Sequence, residues 1–208
     1  MYLPTLTPTK PDTPHIPILA PPAEVLKTRK RVIILINDTL QDLGILAYRQ
    51  LQRELGLNGG SIVNFTKEII RRSTKAKDGF GIFKDGAGVE DKDKETPGLI
   101  VMNTGQLLYS HKSNQAMTMR TWLSQPRKSI CHDAIQIHET ENRVEGHRTP
   151  QEHIKSVFDT VVKNPDFVAP DAEIYVIAIE NGVENLLNIL SSECKFLGTG
   201  SNSQKLLT

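Results

Sequence analysis

Short apolar runs alternating with helical periodicity place this chain in the α/β class, with a mostly parallel, doubly wound sheet. Two observations carry that reading. Val32 to Ile36, Leu99 to Met102 and Ile174 to Ile179 are near-continuous apolar runs of strand length, as suits strands buried on both faces. After the first and the last of them the spacing of apolar residues changes to three and four, the period of one helix face.

The totals bound what the chain can be. With 208 residues, 38% of them hydrophobic, one ordinary core is expected and a second independent one is not. Lys plus Arg number 25 against 24 Asp plus Glu, a net charge of +1, so no global field draws the chain to nucleic acid or to a membrane. Cys131 and Cys194 have no framework spacing, which fits a reducing compartment. No run of 18 apolar residues and no signal-peptide pattern stands out, so an intracellular protein, nuclear or cytoplasmic, is expected.

In chain order, seven of the twelve prolines lie among the first 22 residues, which predicts that residues 1–26 form a disordered proline-rich tail ahead of a domain over 27–190. Lys27 to Arg31 is a basic cluster before the first strand, readable as an import signal, a phosphate contact or charges that simply flank a buried strand. Asp42 to Leu55 carries Leu43, Leu46, Ala47, Leu51 and Leu55 at helical spacing. A turn over Gly56 to Gly60, a short strand Ser61 to Val63 and a helix Thr66 to Ser73 follow. The glycine-bearing, charge-mixed residues 75–97 read as a mobile insertion, because they lack the strand-to-helix context of a phosphate loop. Leu99 to Asn103 ends at Thr104-Gly105, a small-residue turn of the kind found at a sheet's carboxyl edge. Residues 106–133 read as irregular, and Ala134 to His138 alternates like a strand. Thr149-Pro150-Gln151-Glu152 has the form of a capping box with proline at the first helical position. Ile154, Val157, Phe158, Val161 and Val162 then form a stripe down to Asn164-Pro165. Residues 191–208 lose periodicity and read as a frayed tail.

The most informative stretch is Asp171 to Leu190, a strand, a tight turn and a helix with Val183, Leu186, Leu187 and Leu190 on one face. A hydrolase nucleophile elbow carries G-x-S-x-G at such a turn. Here the turn reads Ala178-Ile179-Glu180-Asn181-Gly182, with the last glycine kept and a carboxylate where the serine would stand.

With that elbow, the runs VIILINDTLQDLGILAYR from Val32, GLIVMNTGQLLY from Gly98 and NRVEGHRTPQEHIKSVFDTVV from Asn142 make the chain resemble the fungal members of the Argonaute-binding-protein-two domain family over residues 30–190. The resemblance implies a divergent α/β-hydrolase-like fold. It implies as partners Argonaute, a second Argonaute-binding protein or a class II histone deacetylase, in small-RNA-linked heterochromatin silencing. It puts Glu180 at the serine position and Asn37-Asp38 where an active hydrolase has its oxyanion turn, so a catalytically silent interaction module is expected. A carboxylate at position 180 would repel the negative charge that an oxyanion hole exists to hold. Only 18 residues follow Leu190, so the sheet is expected to lack the last strands of a hydrolase, through a truncated gene or a real short form.

A divergent enzyme would use Glu180 with His147, or Ser129, in a non-standard site; Glu180 as an N-terminal cap of the following helix is the structural alternative. Cys131, His132, Asp133, His138 and Glu139 hold ligand-type side chains, but no second cluster completes four ligands, so no metal and no cofactor are expected. Adjacent Cys131 and His132 would point to opposite faces of an extended segment, which argues against a nucleophile pair. RNA binding through Lys27 to Arg31 and Arg71 to Lys77 is disfavoured by the balanced charge and by the scarcity of aromatic residues, at one Trp, four Tyr and six Phe.

Overall fold

The computed structural model describes residues 1–51, 53, 56–73, 95–127, 129, 131–133 and 135–194. Its centre is a three-stranded parallel sheet in the order β4-β3-β7, formed by β3 (Arg31–Ile36), β4 (Gly98–Met102) and β7 (Glu173–Ala178). Ile34 faces Ile100 on one side and Val176 on the other. The β-branched runs that predicted these strands are therefore the strands observed.

On one sheet face, Val32, Ile34, Ile36, Ile100 and Met102 are buried against Ile154 and Val157 of α6 (Pro150–Val157) and Leu186 of α7 (Asn181–Cys194). A π-helical turn, Phe158–Val162, continues α6 and adds Val161 and Val162 to that core. Both faces of β7 are only half covered: Glu173 and Ile174 are exposed and Tyr175 to Ala178 intermediate. The expectation of a strand buried on both sides thus fails at β7. The reason is its position, because β3 is its one partner among the described residues.

The first 26 residues depart most from expectation. They pack instead of forming a disordered tail. β1 (Tyr2–Leu3) pairs antiparallel with β2 (Ile16–Pro17), and Leu3, Ile16 and Ile18 are 1%, 0% and 1% exposed. Leu19 and Val101 exchange two backbone hydrogen bonds of 3.1 and 2.8 Å, which covers the outer edge of β4. Prolines prevent a long ladder, yet Leu3, Ile16 and Ile18 still reach the core, and burial supplies what regular structure cannot. α1 (Ala23–Leu26) then buries Leu26 beside Gly98.

The basic cluster after α1 has structural partners. Lys30 Nζ lies 2.9 Å from Glu95 Oε1, Arg31 donates to the Glu95 carbonyl at 2.9 Å, and Arg29, 7% exposed, donates to Thr96 O. These cations flank a buried strand.

Between β3 and β4 the predicted helix Asp42 to Leu55 shrinks to α2 (Tyr48–Leu51); residues 52, 54 and 55 lie outside the described residues. Asp42 to Ala47 instead forms a turn in which Leu46 N–H and Ala47 N–H both donate to Gly60 O. The turn expected at Gly56–Gly60 is a short helix, α3, and the strand expected at Ser61 to Val63 is a single bridge from Ser61 to Ile45 ahead of α4 (Ile62–Ser73). Most of the insertion assigned to residues 75–97 lies outside the described residues, as do residues 195–208. Within the stretch taken as irregular, β5 (Leu108–Ser110) and β6 (Gln115–Met117) make a hairpin followed by α5 (Met119–Leu123), capped by Thr118. Of the strand expected at Ala134 to His138, residue 134 lies outside the described residues and 135–138 have no ladder partner among them; the carbonyl of Ile135 accepts from the Trp122 indole at 2.9 Å. α7 runs to Cys194, past the Leu190 boundary.

Because Ile18 is fully enclosed, Ile18→Ala is expected to cost about 2–5 kcal/mol in urea unfolding. A cost under about 0.5 kcal/mol would mean that the proline-rich segment does not belong to the core.

Candidate functional site

The three strands end on one edge, and the residues singled out by sequence gather there. β3 delivers Asn37 and Asp38, β4 delivers Asn103, Thr104 and Gln106, and β7 delivers Glu180, Asn181 and Gly182. The strand-to-helix turn is sharp: Glu180 has φ of 50°, a left-handed conformation that a residue with a side chain holds at a cost. Gly182 permits the turn, because a Cβ there would stand 2.8 Å from both the Ile36 and Asn37 carbonyl oxygens.

Side-chain hydrogen bonds lock the three strand ends together. Asn181 Nδ2 donates to Asp38 Oδ1 at 2.7 Å, joining residues 143 positions apart, and Asp38 is 2% exposed. Thr104 Oγ1 donates to Asn37 O at 2.7 Å, and Asn37 Nδ2 donates to Ile45 O at 2.5 Å. Asn103 Nδ2 reaches Pro17 O at 3.0 Å, which ties the amino-terminal segment to this edge. Gln106 links Asn103, Leu43 N–H and Asp42, and Asp42 also accepts from the Tyr48 hydroxyl. Burial, then the hydrogen bond to Asp42, pushes the Tyr48 phenol up to about 12, so it remains a donor. Asn185 of α7 donates to Asn181 O at 2.8 Å and accepts from Gln151 of α6 at 2.6 Å.

His147 is placed away from the role that pairs it with Glu180. It is 1% exposed, and its Nδ1 lies 3.0 Å from Nδ1 of His153, itself fully buried. The Asn103 N–H donates to His153 Nε2 at 3.2 Å, so His153 carries its proton on Nδ1 and donates it to His147, whose proton sits on Nε2. Burial lowers His153 to about 3, with the neighbouring His147 adding to the shift; burial also lowers His147 to about 4, against a smaller opposing pull from Glu152. Both rings are neutral at physiological pH. No described hydrogen bond joins either ring to Glu180, whose exposed carboxylate has no hydrogen-bond partner among the described residues.

The capping box takes a modified form. Thr149 Oγ1 accepts from Glu152 N–H at 3.1 Å, while Glu152 Oε2 accepts from Arg148 N–H at 2.7 Å, one residue ahead of the cap. Ser129 Oγ and His132 Nδ1 are 2.7 Å apart on an exposed turn, where Cys131 N–H also donates to Ser129 Oγ, so the pair is a local turn contact remote in sequence from the elbow. Among the described residues no group of three His, Cys, Asp or Glu side chains is placed to hold a metal ion, and no helix is long and apolar enough to cross a membrane.

Sequence reasoning did not single out His153 or Asn185, and it named Gln151 only within the capping pattern. A signal for His153 was present: it precedes Ile154 and is four residues before Val157, on the face that the stripe buries.

Against known families, the model of the Arb2 domain matches residues 2–204. The chain belongs to the Arb2 domain family. The match takes in the proline-rich segment and most of the carboxyl-terminal stretch, both of which the sequence reading set outside its 27–190 domain. Searches of the curated proteins and of the solved structures each found no match. In this Arb2 domain, then, the matched residues span both the packed amino-terminal segment and the turn at Glu180.

The histidine pair gives a pH signature. The unfolded chain binds protons at these rings near 6.5, while the folded chain resists until about 4 and 3. Stability from this pair is therefore complete above about pH 7 and falls as pH drops from 6.5 toward 4, by up to about 1.4 kcal/mol per unit for each ring. Urea unfolding from pH 7.5 to 4.5 should show a steeper loss for the native sequence than for a folded His147→Gln, His153→Gln variant. Equal slopes would contradict the buried, neutral pair.

Proposed function

We propose that this Arb2 domain is a catalytically silent, α/β-hydrolase-like protein-interaction module that works in Argonaute-linked silencing. The observation that carries the reading is the elbow: a parallel strand, a residue at φ 50° and a 14-residue helix, with a carboxylate at the tip. A hydrolase holds its serine on such a strained strand-to-helix turn. Here Glu180 brings negative charge to the place where an oxyanion would develop, and His147, the base of the enzymatic alternative, is committed to His153. What is left of the site is a well-tied polar seam that fixes three strand ends, which suits a scaffold.

Membership of the Arb2 domain family supports the partner class. By that kinship the proposed partners are Argonaute, a second Argonaute-binding protein or a class II histone deacetylase, and the proposed setting is heterochromatin silencing, with the protein in the nucleus, the cytoplasm or both. The balanced charge, and the pairing of Arg71 and Arg72 with Glu68 at 2.6 and 2.5 Å, support contact through protein rather than direct RNA binding.

Affinity purification of the tagged chain from its own cells, read by mass spectrometry, should recover one of those partners, and the purified chain should remain unlabelled by a fluorophosphonate. Recovery of none of them, together with labelling that is lost in Glu180→Gln, would replace the scaffold with an enzyme.

A further inference from the structure

β7 has one partner, β3, among the described residues, and the backbone shows which of its groups do not bond to β3. Glu173 N–H donates to Lys30 O at 2.8 Å and Ile179 N–H to Ile36 O at 3.0 Å. Bonding residues alternate along a parallel ladder, so the odd-numbered residues of β7 face β3. The N–H and C=O groups of Ile174, Val176 and Ala178 therefore point away from β3, to an edge left open among the described residues.

α7 overhangs that edge. Its Asn185 flank is held by Gln151 of α6, and α6 reaches the end of β4 through His153 and Asn103, on the far side of β3 from β7. Leu186 fills the middle at 6% exposure. Val183 and Leu187 lie on the opposite flank, 37% and 54% exposed, so the apolar arc of α7 extends past what the domain covers. Ile174, also 37% exposed, lies on the strand beneath. The exposed charges that β7, the elbow and the described part of α7 bring to this strip are acidic. Asp171, Glu173, Glu180 and Glu184 are exposed, and no Lys or Arg occurs from Asn164 to Cys194. Across the ladder Arg31, the partner of Glu173, adds one cation beside these four carboxylates and donates to the Glu95 carbonyl.

We propose that the open edge of β7 receives an extended segment of a partner protein in which basic and apolar residues alternate. The segment adds a strand beside β7 through the outward groups of Ile174, Val176 and Ala178. Its apolar residues pack under Val183 and Leu187, and its Lys or Arg residues turn to the opposite face, where Glu173 stands, and to the acidic ends at Asp171 and Glu180. Charge complementarity selects this occupant over a second copy, since two antiparallel β7 strands would set Glu173 of each against the Glu180 end of the other. The inference rests on the protein-interaction reading above and specifies its surface.

The test uses the full chain and two fluorescent seven-residue peptides, one alternating Lys and Val, the other Glu and Val, followed by anisotropy. The Lys-Val peptide should bind at least tenfold more tightly than the Glu-Val peptide, and less tightly as salt rises. Ile174→Pro removes an outward N–H and no bond to β3, and should weaken binding at least tenfold with an unchanged circular dichroism spectrum. Glu173→Lys with Glu184→Lys, which leaves the strand's backbone intact, should weaken it by about tenfold through lost ion pairing. Equal binding of the two peptides, or binding that survives both variants, overturns the proposal. So does a dimer in sedimentation that Ile174→Pro dissociates, because a second copy would then hold the edge. Equal recovery of Argonaute or a deacetylase by the native chain and the double-lysine variant overturns the edge assignment and leaves the interaction reading standing.

Discussion

The close approach of α7 to the tip of β3 is the constraint on which the rest of the structure depends. Gly182 lets the first turn of the helix rest on the Ile36 and Asn37 carbonyls, and Asn181 then reaches the buried carboxylate of Asp38. With that contact made, Leu186 falls onto the same apolar layer as Ile34 and Val157, and Asn185 meets Gln151 of α6. The strained backbone at Glu180 is held by this arrangement: the geometry needed at Gly182 and Asn181 fixes the turn, and the exposed tip residue accommodates it.

A second layer of polar bonds extends the same logic across the sheet's carboxyl edge. Thr104 bonds the Asn37 carbonyl, Asn103 holds His153 through its backbone and Pro17 through its side chain, and Gln106 gathers Asp42 and Leu43. Such buried groups are costly when unpaired, so the seam specifies one arrangement of strand ends and of the amino-terminal segment that crosses them. In an enzyme these positions would face substrate. Here most of their hydrogen bonds run to one another, while Asn37 Oδ1 and Gln41 Oε1 are buried without a partner among the described residues.

How much of this was legible in the sequence depended on the kind of signal. Long β-branched runs gave β3, β4 and β7, and the Thr149-Pro150-Gln151-Glu152 pattern gave the start of α6, because each is local and repeats the period of its element. The elbow was legible for the same reason, down to the glycine at 182. Tertiary effects were hidden. Proline density reads as disorder, yet Leu3, Ile16 and Ile18 find a core formed by residues far along the chain. Leucine spacing from Asp42 reads as one long helix, yet carbonyl contacts with Gly60 turn the backbone at Leu46 and Ala47 and leave α2 short. His147 and Glu180 looked like neighbours at a shared sheet edge, but the partner of His147 is a histidine on α6 whose burial follows from the stripe around it.

The most direct measurement of this account is the urea-unfolding free energy of Gly182→Ala. If the helix sits on the β3 tip as described, a single added methyl meets two backbone oxygens that cannot swing aside, and the variant should lose about 1–3 kcal/mol with an unchanged denaturant slope. A loss under about 0.3 kcal/mol would show that the turn is not pressed against β3, and the account of the fold would lose its anchor.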